Sequence, residues 1–295
     1  MKSKTMLCIF LTAAMAAAAF LPSCSNTQDE ISSSTSSAVS YITPSTHAFP
    51  SEYVSAVPLS SFPDPVSGTY NGQAITMSLA FEPSIDWNAL ESYKPNYQDF
   101  RFHKGYAIIP LATSPGYSST AYYYYIDKSG NISGGYKYAS AFDDDGRALV
   151  QFPNTTYAYI DTSGKVVEPC LNHLAAESPD LPYKTDGIEI HNTYGEPDSY
   201  AQLYDSEGNL LNEEKFDVIS NTFYNGLGVI IKDNKIGLID TKGNVVIEPS
   251  FPFDKFGYDR GPNKKPSYYY PTYMDEDLII IPINGKLGVL KITRG

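Results

Sequence analysis

From residue 100 onward, apolar residues alternate with polar ones in short runs bounded by glycine, asparagine and aspartate. A period of two puts one set of side chains on each face of an extended chain, so the runs predict β-strands and the polar clusters predict turns. The clearest stretch reads Gly226-Leu227-Gly228-Val229-Ile230-Ile231-Lys232, then Asp233-Asn234, then Lys235-Ile236-Gly237-Leu238-Ile239. A turn from Asp240 to Gly243 follows, then Asn244-Val245-Val246-Ile247. The whole predicts a three-stranded antiparallel meander of about 22 residues. Helical periodicity is scarce: residues 84–93 and 171–177 each predict a short helix.

The same local pattern returns along the chain. Ile126-Asp127-Lys128-Ser129-Gly130-Asn131-Ile132, Ile160-Asp161-Thr162-Ser163-Gly164-Lys165-Val166, Tyr204-Asp205-Ser206-Glu207-Gly208-Asn209-Leu210 and Ile239-Asp240-Thr241-Lys242-Gly243-Asn244-Val245 place their aspartates 34, 44 and 35 residues apart. A second signature, an aromatic residue shortly before a glycine, marks Gly105, Gly146, Gly187 and Gly226, spaced 41, 41 and 39 residues. An aspartate accepts backbone N–H bonds from the residues after it, and a left-handed glycine three positions on closes a type I turn with a bulge. Asp127, Gly130, Asp161, Gly164, Asp205, Gly208, Asp240 and Gly243 are therefore expected to be structural turn residues. The expected fold is all-β: tandem antiparallel meander repeats, about five units of roughly 40 residues, forming a propeller-like ring or an open superhelical array. The last unit is incomplete, with strands at 278–283 and 288–292, and an N-terminal strand such as 74–81 is a candidate to complete it.

These units resemble the WG-repeat (KWG-type) family. The fourth matches best, through Ile236-Gly237-Leu238-Ile239-Asp240, Gly243 and Val245-Val246-Ile247-Glu248-Pro249; the second matches through Tyr157-Ala158-Tyr159-Ile160-Asp161, Gly164 and Val166-Val167-Glu168-Pro169. Asn284-Gly285-Lys286-Leu287-Gly288-Val289-Leu290 looks like the start of a fifth. The family's tryptophan is replaced by Tyr, Ile or Leu, and its glycine persists at Gly237 and Gly288. The resemblance covers about residues 100–295 and implies a β-repeat fold without a single activity.

The N-terminus carries an address. Residues 1–23 join a basic start at Lys2 and Lys4 to an apolar stretch and small residues, the pattern of a secretory signal. Leu21-Pro22-Ser23-Cys24 resembles the lipobox of bacterial lipoproteins, which implies that Cys24 becomes an acylated N-terminus held in a membrane. Acyl chains add about 0.8 kcal/mol per buried methylene, ample for anchoring. Ser25 directly after that cysteine implies the outer membrane, and Asp29 and Glu30 resemble surface-export signals. Residues 24–50 are Ser/Thr-rich and are expected to be a flexible tether with a reach of about 25–30 Å. Residues 51–99 are expected to be a flanking region with a β-hairpin and the short helix, leaving 100–295 as the repeat domain.

Charge narrows the partners. The net charge of −12 becomes −14 once the two lysines of residues 1–23 are removed, so there is no electrostatic footprint for nucleic acid. With Cys8 in the signal and Cys24 acylated, Cys170 is left as a lone thiol. Cys170 beside His173 lacks the second ligand pair of a zinc site, and Asp143-Asp144-Asp145-Gly146 lacks the alternate ligand spacing and distal glutamate of a calcium loop, so no metal and no cofactor is expected. The tyrosine run at Tyr122, Tyr123, Tyr124 and Tyr125 must split between two strand faces, half of it toward solvent or a partner, with Tyr123 and Tyr157 expected to pack between units. Tyr268, Tyr269, Tyr270 and Tyr273 are candidate ligand contacts, because rings with hydroxyls suit sugars or peptides. These features imply a non-catalytic binding or scaffold module with a protein or glycan partner. The alternative is a surface glycan hydrolase or an accessory glycan-binding subunit.

Overall fold

β-Branched and aromatic residues fill the segments between the glycine and aspartate turns, and in the computed structural model these segments are strands. The structure describes residues 44–87, 90, 100–111, 122–170, 187–193, 200–254, 256–258, 267–269 and 274–295. All of them belong to one unit, Ser40–Gly295. The architecture is all-β, with several antiparallel sheets. Strands β1 (Val66–Tyr70) and β2 (Gln73–Leu79) form a hairpin; β3 (Tyr106–Leu111), β4 (Tyr122–Asp127) and β5 (Ile132–Tyr136) form one sheet. The next sheet holds β6 (Tyr138–Ala139), β7 (Arg147–Gln151), β8 (Tyr157–Asp161) and β9 (Val166–Cys170). Strands β10 (Ile188–Thr193) and β11 (Tyr200–Asp205) pair, as do β12 (Val218–Tyr224), β13 (Leu227–Lys232), β14 (Lys235–Asp240) and β15 (Val245–Pro252) in a four-stranded meander. After the hairpin of β16 (Phe256–Tyr258) and β17 (Ser267–Tyr269) come β18 (Met274–Asp275), β19 (Leu278–Ile283) and β20 (Lys286–Arg294).

The last three strands join the first two in one sheet of order β1-β2-β20-β19-β18. Ile75 lies opposite Arg294 and Leu79 opposite Leu290, and the Gly295 N–H reaches the Ala74 carbonyl at 2.8 Å. The N-terminal strand expected beside the C-terminal strands pairs with β20. As a result, strands from the flanking region 51–99 share a sheet and a core with the C-terminus.

Hydrophobic cores lie between sheets. Ile188, Ala201 and Leu203 pack on Ile219, Phe223 and Ile230, and the opposite face of the β12–β15 sheet, with Val229, Ile236 and Leu238, packs on Ile75, Ile279, Ile281 and Leu290. Leu278, Ile280, Leu287 and Val289 then meet Ile109, Leu111 and Tyr124, while Ile108 and Tyr125 meet Val150 and Ile160. Four cores thus join five sheets in series, and among the described residues no core cluster joins the β6–β9 sheet to β10–β11. A strand covered on both faces reads as an unbroken apolar run, which is why Leu278-Ile279-Ile280-Ile281-Pro282-Ile283 is buried throughout.

Two expectations change for this reason. The β3–β5 sheet is covered on both sides, so Tyr124 and Tyr125 are both buried instead of one facing out. Tyr123 packs at the edge of a core, as expected, and Tyr157 is half-buried. The stretch 84–93 does not begin as a helix: Ile85 bridges Val54 and Asp86 bridges Lys286, because Ile85, Trp87 and Leu90 fill the core beside β19 and β20. The other short helix, at 171–177, and the tyrosines Tyr270 and Tyr273 lie outside the described residues.

Burial pushes the phenols of Tyr124 and Tyr136 up to about 12, and that of Tyr125 well above its ordinary value of 10.0. A raised folded value means stability intact below pH 10 and lost as the pH climbs through the folded value. Alkaline titration should therefore show tyrosinate absorbance of these rings appearing together with unfolding, above the range where exposed tyrosines ionise. Ionisation of all tyrosines near 10 with the fold retained would refute this.

The end of the expected tether is held against this sheet. The His47 ring stacks on Tyr122 at 4.2 Å, its Nδ1 lies 3.1 Å from the Tyr124 hydroxyl, and the His47 backbone N–H donates to the Gly135 carbonyl at 3.0 Å. Gly135 has φ +104, and a Cβ there would overlap the His47 carbonyl and lie 2.8 Å from the His47 nitrogen. Gly135→Ala should expel residues 44–50 from the sheet, read as lost amide-exchange protection at His47.

Candidate functional site

The recurrent turns are built alike. In each, the aspartate Oδ1 accepts the N–H groups two and four residues on: Ser129 and Asn131 at 2.8 and 2.9 Å for Asp127, Ser163 and Lys165 at 2.9 and 3.1 Å for Asp161. Glu207 and Asn209 donate to Asp205, and Lys242 and Asn244 to Asp240, at 2.8–2.9 Å. Gly130, Gly164, Gly208 and Gly243 are left-handed and return their N–H to the aspartate carbonyl. Asp143 makes the same turn, with Asp145 and Arg147 donating at 3.0 and 2.8 Å, so the triple aspartate is a structural bend. Among the described residues no group of His, Cys, Asp or Glu is placed to hold a metal ion.

These bonds favour the ionised carboxylate. Burial opposes at Asp127, yet the Asn131 side chain and the turn N–H groups hold it below its usual 3.8; the Ser163 hydroxyl leads at Asp161 and the Asn209 amide at Asp205, again downward. A lowered folded value gives stability present above the unfolded value and lost as the pH falls through the folded one. The melting temperature should hold down to about pH 4 and fall below it, and Asp205→Asn should shrink that acid-side loss. An unchanged acid profile would contradict the assignment.

A second cluster sits on the turn after β18. Asp275 takes the Arg101 guanidinium at 2.9 Å, Glu276 takes Lys128 at 3.0 Å and the Gly105 N–H at 2.8 Å, and Asp277 takes Arg294 at 2.8 Å. Burial first, then Asp277, Asp275 and Glu276, raise the Tyr224 phenol beside them. Three carboxylates converge here, each with its own cation. Asp275 and Glu276 tie this turn to segments flanking β3 and β4 of the neighbouring sheet, and Asp277 ties it to β20 of its own. The sequence carried no signal for this cluster, because its charges belong to segments far apart in the chain. The serines Ser140 and Ser220 were also missed. Each lies 9 residues before a strand N–H that it accepts, from Leu149 and Val229 at 3.0 Å, and donates to a nearby carbonyl.

The third feature is the outer face of β10 and β11. Ala201 and Leu203 point into the core, so Tyr200, Gln202 and Tyr204 point away from it. Glu189 lies opposite Tyr204 and His191 opposite Gln202, and Leu210 bridges the other side of Tyr204. The His191 ring stacks on Tyr204 at 4.2 Å, and the Lys215 ammonium lies 3.9 Å from the centre of the Tyr200 ring. Leu210 is 42% exposed, the His191 side chain 54% and Glu189 59%.

The other expected site residues are dispersed. Tyr268 and Tyr269 lie in β17, opposite Gly257 and Phe256, and Cys24 is outside the described residues. Cys170 is a buried thiol at the end of β9, and His103 faces Asp144 at 4.0 Å.

A family described as "WG containing repeat" matches residues 236–253, which cover most of β14, its aspartate turn and β15. No curated protein matches the chain.

Proposed function

We propose that the chain is a non-catalytic binding module, anchored by acyl chains on Cys24 at the outer membrane and exposed on the cell surface, with a protein or glycan ligand. The observation that carries the binding reading is the outer face of β10 and β11, where the half-buried Tyr200, Gln202 and Tyr204 stand beside the exposed His191, Glu189 and Lys215 on a strand pair whose reverse is core. Such a face is held rigid by packing beneath it, which lowers the ordering cost of a ligand contact. The four periodic aspartate turns and the WG match support tandem units of a common design. The sheet shared by β2 and β20 supports a curved, propeller-like course for them. The recurrent turn aspartates spend their oxygens on backbone N–H groups, and Asp275, Glu276 and Asp277 each meet a cation, which favours binding over glycan hydrolysis. The test is a glycan-array and pull-down screen with the processed chain, with products followed by chromatography. Binding without products supports the module, and turnover of an oligosaccharide defeats it. Labelled palmitate incorporated by the wild type and lost in Cys24→Ser would support the anchor.

A further inference from the structure

We infer that the outer face of β10 and β11 is a site for a neutral oligosaccharide, laid along β11; this rests on the binding reading above. Tyr200 and Tyr204 are four residues apart on one strand, about 13 Å between their backbones, with Gln202 midway. A ligand following the strand meets ring, amide, ring in order, a spacing suited to several linked sugar units and too long for a single one. Each ring is braced before any ligand arrives. His191 stacks on Tyr204 with 24° between planes, and Lys215 sits over Tyr200. The imidazole, 54% exposed, is the more open member of that stack, and with Leu210 beside Tyr204 it offers an apolar surface to the C–H face of a sugar. Hydroxyl partners are arranged around it: the Glu189 carboxylate, 3.4 Å from His191 Nε2, and the Gln202 amide, whose Nε2 lies 3.4 Å from the Glu213 carbonyl.

The charge pattern selects neutral over acidic ligands. Glu189 and Lys215 offset one another on the face, and the chain as a whole carries −12, so an acidic polymer gains little there and is repelled at a distance. The apolar content is also interleaved with polar groups, with Leu210 the exposed aliphatic side chain beside Tyr204, unlike the contiguous apolar patch of a protein interface.

The test is calorimetric titration of the processed chain at neutral pH with maltohexaose, cellohexaose, xylohexaose and mannohexaose, and with oligogalacturonate as the acidic comparator. At least one neutral hexasaccharide should bind, and its monosaccharide should bind far more weakly. Tyr204→Ala and His191→Ala should each weaken binding about tenfold or more, as loss of a central contact does. Melting temperatures near wild type would show that both variants keep the fold, and Tyr204→Phe, which retains the ring, should bind nearly as well. Binding that survives Tyr204→Ala, or a preference for oligogalacturonate, overturns this site while leaving the binding reading intact. The same holds if a protein ligand is found and no glycan binds. Hydrolysis of the hexasaccharide during titration would instead strike the binding reading itself.

Discussion

Replacing Gly237 by alanine is expected to destabilise the protein by about 3 kcal/mol or more, the upper range for overpacking, because the obstruction is backbone. Between the pairs Ile236–Phe251 and Leu238–Ile247, the single residue Gly237 faces three, Glu248, Pro249 and Ser250. That bulge pushes β15 over β14, and a Cβ on Gly237 would collide with the Ile247 carbonyl oxygen and lie 2.7 Å from the Pro249 nitrogen. Pro249, which has no N–H to leave unpaired, suits such a place. At the matching point of the β8–β9 pair the register runs without extra residues, Ala158 opposite Pro169, and an alanine fits. Urea unfolding of Gly237→Ala should show the loss, and Gly288→Ala is the control. Its nearest neighbours are side-chain atoms of Ile283, Ile281 and Leu79, at 2.8, 3.2 and 3.2 Å, with no backbone atom among them, so it should cost less. Equal costs would mean that the bulge is not the cause.

Asp275→Ala should be comparably severe, about 3–5 kcal/mol, the range for stripping a buried charge of its partner. The side chains of Arg101 and Asp275 are only 6% and 13% exposed, and Arg101 gives Asp275 Oδ2 both its Nε, at 3.0 Å, and a terminal nitrogen, at 2.9 Å. With the carboxylate removed, the buried guanidinium loses the charge and the two hydrogen bonds that Asp275 supplies. Arg101→Met combined with Asp275→Leu should recover much of the loss, since two apolar side chains bring no desolvation penalty. If Asp275→Ala costs under about 1 kcal/mol, the pair behaves as an exposed ion pair and the assignment as a buried pair fails. Lys128→Ala, which removes a half-exposed partner of Glu276, should cost far less than either.

These two sites differ in how far they could be read in advance. Gly237 stands inside the segment that resembles a WG unit, and the glycine could be singled out there. Why it must be glycine could not be read, because that depends on the offset of β15 against β14. The Arg101–Asp275 pair was invisible, since its members are 174 residues apart and nothing local marks either as buried. The tyrosine run shows an intermediate case. Alternation placed Tyr124 and Tyr125 on opposite faces, but only the stacking of a sheet on each side made both faces interior. The face of β10 and β11 escaped notice for a similar reason. Tyr200, Tyr204 and His191 become neighbours only through the pairing register, and Lys215 only through the crossing segment.

The sequence by itself determined the strands, the aspartate turns and the chemistry of their closing glycines, because those bonds span no more than four residues and need nothing beyond local backbone geometry. It also pointed to the strand that completes the last sheet, through the shortage of strands at the C-terminus. Which sheet covers which, which charges meet, and which aromatic rings stay at the surface were decided only in the tertiary structure. Those outcomes depend on contacts between segments far apart in the chain, whose distances no local pattern encodes.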